Sequence, residues 1–265
     1  MNPISFMTAN FVARQLDYNM TGDWGQGDTA TQNYFRPLAT YRERLGVLLA
    51  EIKPLGFSAI DLWGGHLNPL WATPDHIQIA KELIAANGFD IASLAGWWDT
   101  REELEGSCKI ATGVGTTILG GGGSLLQTDR AFVVDRLRHY GLKYGYENHP
   151  EKSPEEILGK IGEGDEDCIG LAVDTGWFGT QSFDAADAMR QLKDRTFHVH
   201  LKDVKQAGEH VTCRFGDGVV PLRDCVDVLK AAGYTGGYSI EHEPEDHNPL
   251  AEIEESYALL KEWMT

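Results

Sequence analysis

The chain has 265 residues, 42% hydrophobic and 24% charged, a composition that supports a full apolar core. Its 23 basic and 40 acidic residues give a formal net charge of −17, which repels nucleic acid and anionic membrane surfaces. Cys108, Cys168, Cys213 and Cys225 form no CxxC pair, the N-terminus lacks a basic and apolar leader, and no apolar run is long enough to span a bilayer. These features predict reduced thiols and a soluble, cytoplasmic protein with no nucleic-acid or membrane partner.

Short strand-like runs alternate with longer amphipathic ones. ISFMTANF (4–11) is followed by a polar, Gly-rich stretch at 16–35, read as a loop or lid that carries Tyr18, Met20 and Trp24. A helix over 41–56 ends in Gly, strand FSAIDLW spans 57–63, and a helix over 73–88 opens on Thr-Pro. Strand 89–98 and helix 100–115 follow, then TTILGGGG (116–123) and helix 128–141. The glycines at 120–123 have neither GxGxxG spacing nor a P-loop lysine, and they read as a sharp turn rather than a phosphate cradle. Strand 143–149 precedes helix 153–162, strand 168–175 precedes helix 182–193, strand 196–204 precedes helix 221–233, and strand 237–244 precedes helix 248–264. Eight such units without a composition break predict one α/β domain over 1–265, a (β/α)8 TIM barrel.

Polar residues stand where four late strands end: Glu147 after YGY, Asp174 after LAV, His200 after FHV and Glu241 after YSI. Parallel barrel strands open on one face, so three carboxylates and an imidazole converge there. Buried carboxylates repel one another and lose solvation, and a divalent cation removes both penalties. The mixed oxygen and nitrogen set suits Mn²⁺ first, then Mg²⁺ or Co²⁺; Zn²⁺ is less natural because no thiolate takes part.

ENHP, AVDTGW, FHVHLKD, the GDG at 216–218 and GYSIEHEP together resemble the xylose isomerase-like TIM barrels. That group includes tagatose/psicose 3-epimerases, inosose dehydratase and the metal subunit of C-glycoside deglycosidases. The resemblance is strongest over about residues 140–245 and elsewhere is one of pattern. It implies that Glu147, Asp174, His200 and Glu241 hold one divalent metal. It also implies a homo-oligomer, or a small partner subunit as in the deglycosidases. Two positions depart from the epimerases of the group: Trp177 stands where many carry His, and Gln206 where they tend to carry Arg.

A metal that holds a carbonyl and an adjacent hydroxyl makes the C–H between them acidic. The expected activity is therefore a sugar isomerase or epimerase acting on a ketose or keto-sugar through an enediolate, with Glu147 and Glu241 moving the proton. The alternative is a lyase on 3-keto glycosides, or a dehydratase, working from the same site. His149 is a candidate base or substrate donor, with packing under the loop as the plain alternative. Trp63, His66, Trp97 and Trp177 are expected at an aromatic wall, and Lys202 and Glu243 as substrate contacts. His198 is read as structural, pointing away from His200 or into a deeper layer, while His242 faces away and Asp203 bonds a neighbouring loop. Few arginines fall at strand ends, so the small-molecule substrate is expected to be a neutral sugar or glycoside. An abasic-site nuclease fits neither the charge nor the single ligand set, and an intact quartet speaks against a merely sugar-binding module.

Overall fold

The apolar runs pair in parallel around a closed ring. In the computed structural model, which describes residues 2–265, the strands are β1 (Ile4–Met7), β2 (Ala59–Trp63), β3 (Asp90–Trp97), β4 (Ile118–Gly122), β5 (Lys143–Glu147), β6 (Ile169–Asp174) and β7 (Thr196–Leu201). A two-residue antiparallel ribbon, β8 (Asp203–Val204) with β9 (Thr212–Cys213), precedes the last barrel strand, β10 (Tyr238–Ile240). The barrel order is β1-β10-β7-β6-β5-β4-β3-β2, and β1 pairs with both β2 and β10 to close it. The (β/α)8 expectation is met.

Helices form outside wherever a cap and an apolar stripe coincide. Thr100 accepts from the Glu103 amide while Glu103 reaches back to Thr100, a reciprocal cap that starts helix Arg101–Val114. Thr73 and His76 make the equivalent pair before Pro74–Asn87, which ends on Gly88 at φ 76°, a left-handed turn that suits glycine. The helices seal Tyr41, Leu45, Leu48, Ile84, Leu104, Leu137 and Leu229 against the outer faces of the strands.

The barrel's inside is unusually small and polar. Ser93, Gly120 and Ala172 line it, and a Cβ on Gly120 would lie 3.9 Å from His200 Nε2. Branched aliphatic layers commonly fill such barrels; here the small residues leave room for two imidazoles.

The expected loop at 16–35 is corrected in part, because Trp24–Phe35 is an α-helix. The last strand is shorter than predicted, so Glu241 and Glu243 lie just beyond it. All four cysteines are buried and free. Among the described residues, no helix is long and apolar enough to cross a membrane.

Candidate metal centre

Each quartet residue is the last polar group of a strand or lies one step beyond it. Asp174 and His200 stand opposite each other in the β6–β7 register. The β5 exit is tied to the β6 exit by Asn148, whose side chain donates to the Asp174 carbonyl at 2.8 Å and accepts from the Asp174 amide at 2.9 Å. Asp174 also caps the short helix Thr175–Thr180, its Oδ1 accepting from the Gly176 and Trp177 amides at 2.7 and 3.2 Å. The cap fixes the carboxylate so that Oδ2 remains for the site.

Ligand-type atoms of Glu147, Asp174, His200 and Glu241 all lie within 4.8 Å of one another, and all four residues are buried. His200 Nδ1 is 2.6 Å from Glu147 Oε1 and 3.3 Å from Glu241 Oε2. Neither Asp174 Oδ2 nor Glu241 Oε2 accepts a well-formed hydrogen bond, although Lys202 Nζ approaches Asp174 Oδ2 as an ion pair at 2.9 Å. Orphaned buried carboxylate oxygens beside an imidazole nitrogen are what a divalent cation satisfies. The residues therefore fit the metal expected of them.

Behind His200 stands a residue that strand-end reasoning missed. Asp61, in the middle of β2 and fully buried, offers Oδ2 to His200 Nε2 at 3.0 Å and to His198 Nε2 at 2.7 Å, while the Ser93 hydroxyl donates to its Oδ1. Burial alone would raise its pKa, but the two imidazoles outweigh burial and hold the carboxyl far below its usual value. Asp61 thus fixes the His200 tautomer, leaving Nδ1 for the mouth of the barrel. A charged residue inside the apolar run AIDLW was the available signal, since such a group needs buried partners. His198 occupies the deeper layer. It does not point away from His200, because residues two apart on a strand share a face.

Electrostatics at the mouth are tightly balanced. Burial opposes ionisation of Glu147, but His200 and His149 bring its pKa down to about 2. Glu241 is driven the other way, raised well above the ordinary value by burial and by Glu243 and Asp174 against the pull of Lys202 and His200. His200 is raised well above its usual value because Glu147, Glu241 and Asp61 overcome its desolvation. Lys202, expected as a substrate contact, lies inside the carboxylate cluster: its Nζ is 2.9 Å from Asp174, 3.1 Å from Glu241 and 3.2 Å from Glu243. A Cβ on Gly176 would meet the Lys202 side chain at 2.6 Å, so glycine there makes room for it.

The remaining candidates divide. His149 sits at the rim with Nε2 4.0 Å from Glu147 Oε2, its ring between Trp97 and Trp177. Trp97 is 52% exposed and open to a ligand. Trp63 is buried, with its indole edge against Trp24, whose Nε1 donates to Glu243 Oε1 at 3.2 Å. His66 is buried against Phe35 and Trp63, and burial pulls its pKa down to about 3, so it is a neutral wall residue behind the rim. His242 faces away, bonded to Thr212 and Glu252. Asp203 gathers the amides of Val204, Gly216, Gly218 and Val220, which explains the GDG turn.

Residues 49–263 match the family described as xylose isomerase-like TIM barrel. This chain belongs to that family. Among curated relatives, an inosose dehydratase of Lactiplantibacillus plantarum is 28% identical over 145 residues, 46% of this chain and 48% of the relative. An L-ribulose-5-phosphate 3-epimerase of Salmonella paratyphi A is 37% identical over 82 residues, 29% of this chain and 27% of the relative. The chain thus spans about half or less of the length of these relatives. A solved D-tagatose 3-epimerase-like protein superposes with TM-score 0.73 at 16% identity, covering 99% of this chain and 97% of that one, a likeness of fold. Within this xylose isomerase-like barrel, the two departures from the epimerase pattern lie at the rim. Trp177 stacks on His210 with ring centroids 4.2 Å apart, and Gln206 is exposed in the loop after β8.

Proposed function

We propose that the protein is a divalent-metal-dependent sugar isomerase or epimerase that moves a proton at the carbon beside the carbonyl of a ketose or keto-sugar, through an enediolate. The observation that carries this reading is the buried quartet, with Glu147 and Glu241 both beside His200 Nδ1, at 2.6 and 3.3 Å. Glu147, Asp174, His200 and Glu241 would hold the cation, Mn²⁺ in the first instance. Bound there, it would supply the positive charge that acidifies a C–H flanked by carbonyl and hydroxyl.

The chain's own residues account for the rest. Glu147 and Glu241 approach from strands three places apart around the barrel, so one can take a proton and the other return it from another direction. Lys202 and Glu243 offer a donor and an acceptor for substrate hydroxyls, and Trp97 offers a flat apolar surface for a sugar face. Among the described residues the strong cation paired with the quartet is Lys202 rather than an arginine, which favours a neutral sugar over a phosphorylated one.

A second reading is elimination, in a dehydratase or in a lyase acting on 3-keto glycosides. It is favoured by the match to an inosose dehydratase and by His149, poised beside Glu147 under two tryptophans. The test is NMR in D₂O with Mn²⁺-loaded protein against ketoses, their phosphates and 3-keto glycosides. Deuterium beside the carbonyl, with an epimer or aldose formed, is expected, and Glu147→Gln and His200→Ala should abolish it. Loss of water or an aglycone would replace the first reading with the second. Full turnover by EDTA-stripped protein would sink both.

A further inference from the structure

The loop that follows Glu241 carries a second convergence of ligand-type side chains on its other side. His242 Nε2 bonds Glu252 Oε2, and His247 Nε2 lies 2.9 Å from the same oxygen. Ligand-type atoms of the three residues all fall within 4.8 Å of one another. Each imidazole is aimed through its far nitrogen: His242 Nδ1 is 2.9 Å from Thr212 Oγ1, and His247 Nδ1 is 2.6 Å from Asp246 Oδ1. An imidazole held at one nitrogen, with the other directed at a shared point, is the arrangement that metal-binding histidines adopt.

We propose that His242, His247 and Glu252 form a second cation site, separate from the quartet and suited to Zn²⁺. Two imidazole nitrogens and one carboxylate match the three-ligand sets of zinc and disfavour Mg²⁺ and Ca²⁺, which prefer oxygen. His242 is buried and His247 exposed, so one side is rigid and the other open to a water as the fourth ligand. The site has a structural consequence. His242 adjoins Glu241, Thr212 lies in β9, and Glu252 opens the last helix, Leu250–Met264. A cation there ties all three segments together and fixes the backbone from which Glu241 and Glu243 enter the barrel mouth. The same loop also accepts from the Met20 amide, at the Glu245 carbonyl, 3.3 Å away.

The test is stoichiometric and needs no substrate. Tag-free, metal-stripped protein is titrated with Zn²⁺ by calorimetry, and bound metal is counted after desalting. Wild type should bind two ions per chain, and His247→Ala and Glu252→Gln one each, with unchanged circular dichroism. A Glu147→Gln/His200→Ala variant should keep one ion, which adding His247→Ala removes. The proposal is overturned if His247→Ala binds as much Zn²⁺ as wild type, or if the quartet variant binds none.

Discussion

Asp61 shows how much of the candidate metal site depends on a carboxylate buried behind it. Its one oxygen holds two histidines, so replacing the acceptor with an amide lets His200 turn its protonated nitrogen toward the quartet. Asp61→Asn should weaken Mn²⁺ binding by roughly 10–100-fold, the usual cost of losing such an outer partner. Calorimetry checks this, and an affinity equal to wild type would remove Asp61 from the mechanism. The four candidate ligands were legible in the sequence because each interrupts an apolar strand at its exit. Asp61 was not, because its strand continues beyond it and its partners lie 32 and 137 residues away. Asn148 and the layer of His198 were likewise invisible without the register that places them.

At the scale of elements, alternation of strand and helix was enough to specify the barrel, since both periods are strong outside the N-terminal quarter. The helix Trp24–Phe35 was missed for a physical reason. WGQGDTATQNYF contains two glycines and few strong helix formers, so local propensity argues against it. Tertiary packing overrides propensity: Gly27 lies so close to β1's following turn that a Cβ there would sit 2.6 Å from the Val12 carbonyl oxygen. The helix brings Trp24 over the mouth, against Trp63 and Glu243. Trp24→Ala removes a hydrogen bond and an aromatic edge at a partly exposed position, worth about 1 kcal/mol, or roughly a 5-fold change. That change should appear in KM for the sugar while Mn²⁺ affinity stays put. An altered metal affinity with unchanged KM would show that the helix supports the quartet instead of covering the substrate.

For the molecule as a whole, the mouth concentrates charges that folding alone does not balance. Glu147, held at about 2, stabilises the fold above the ordinary carboxylate pKa and loses that contribution only in strong acid. Glu241 has the opposite sign: with its pKa raised, the cation-free fold becomes less favourable as pH climbs past the ordinary carboxylate value. His200, also raised, contributes stability below the ordinary imidazole pKa that fades as pH rises toward its folded value. A divalent ion held by the quartet would have to displace the protons of both Glu241 and His200, so its binding should strengthen with pH. At 100 times its dissociation constant a ligand adds about 2.7 kcal/mol to stability. For a domain of this size each kcal/mol corresponds to about 2–4 °C in Tm. The gain in Tm from saturating Mn²⁺ over EDTA should therefore be several degrees near pH 8 and shrink steadily toward pH 5, as followed by differential scanning calorimetry. A gain that is flat or larger in acid would mean that the quartet is already deprotonated without the ion. Lys202 would then be a permanent counter-ion of Asp174 and Glu241, not a group that yields to the metal.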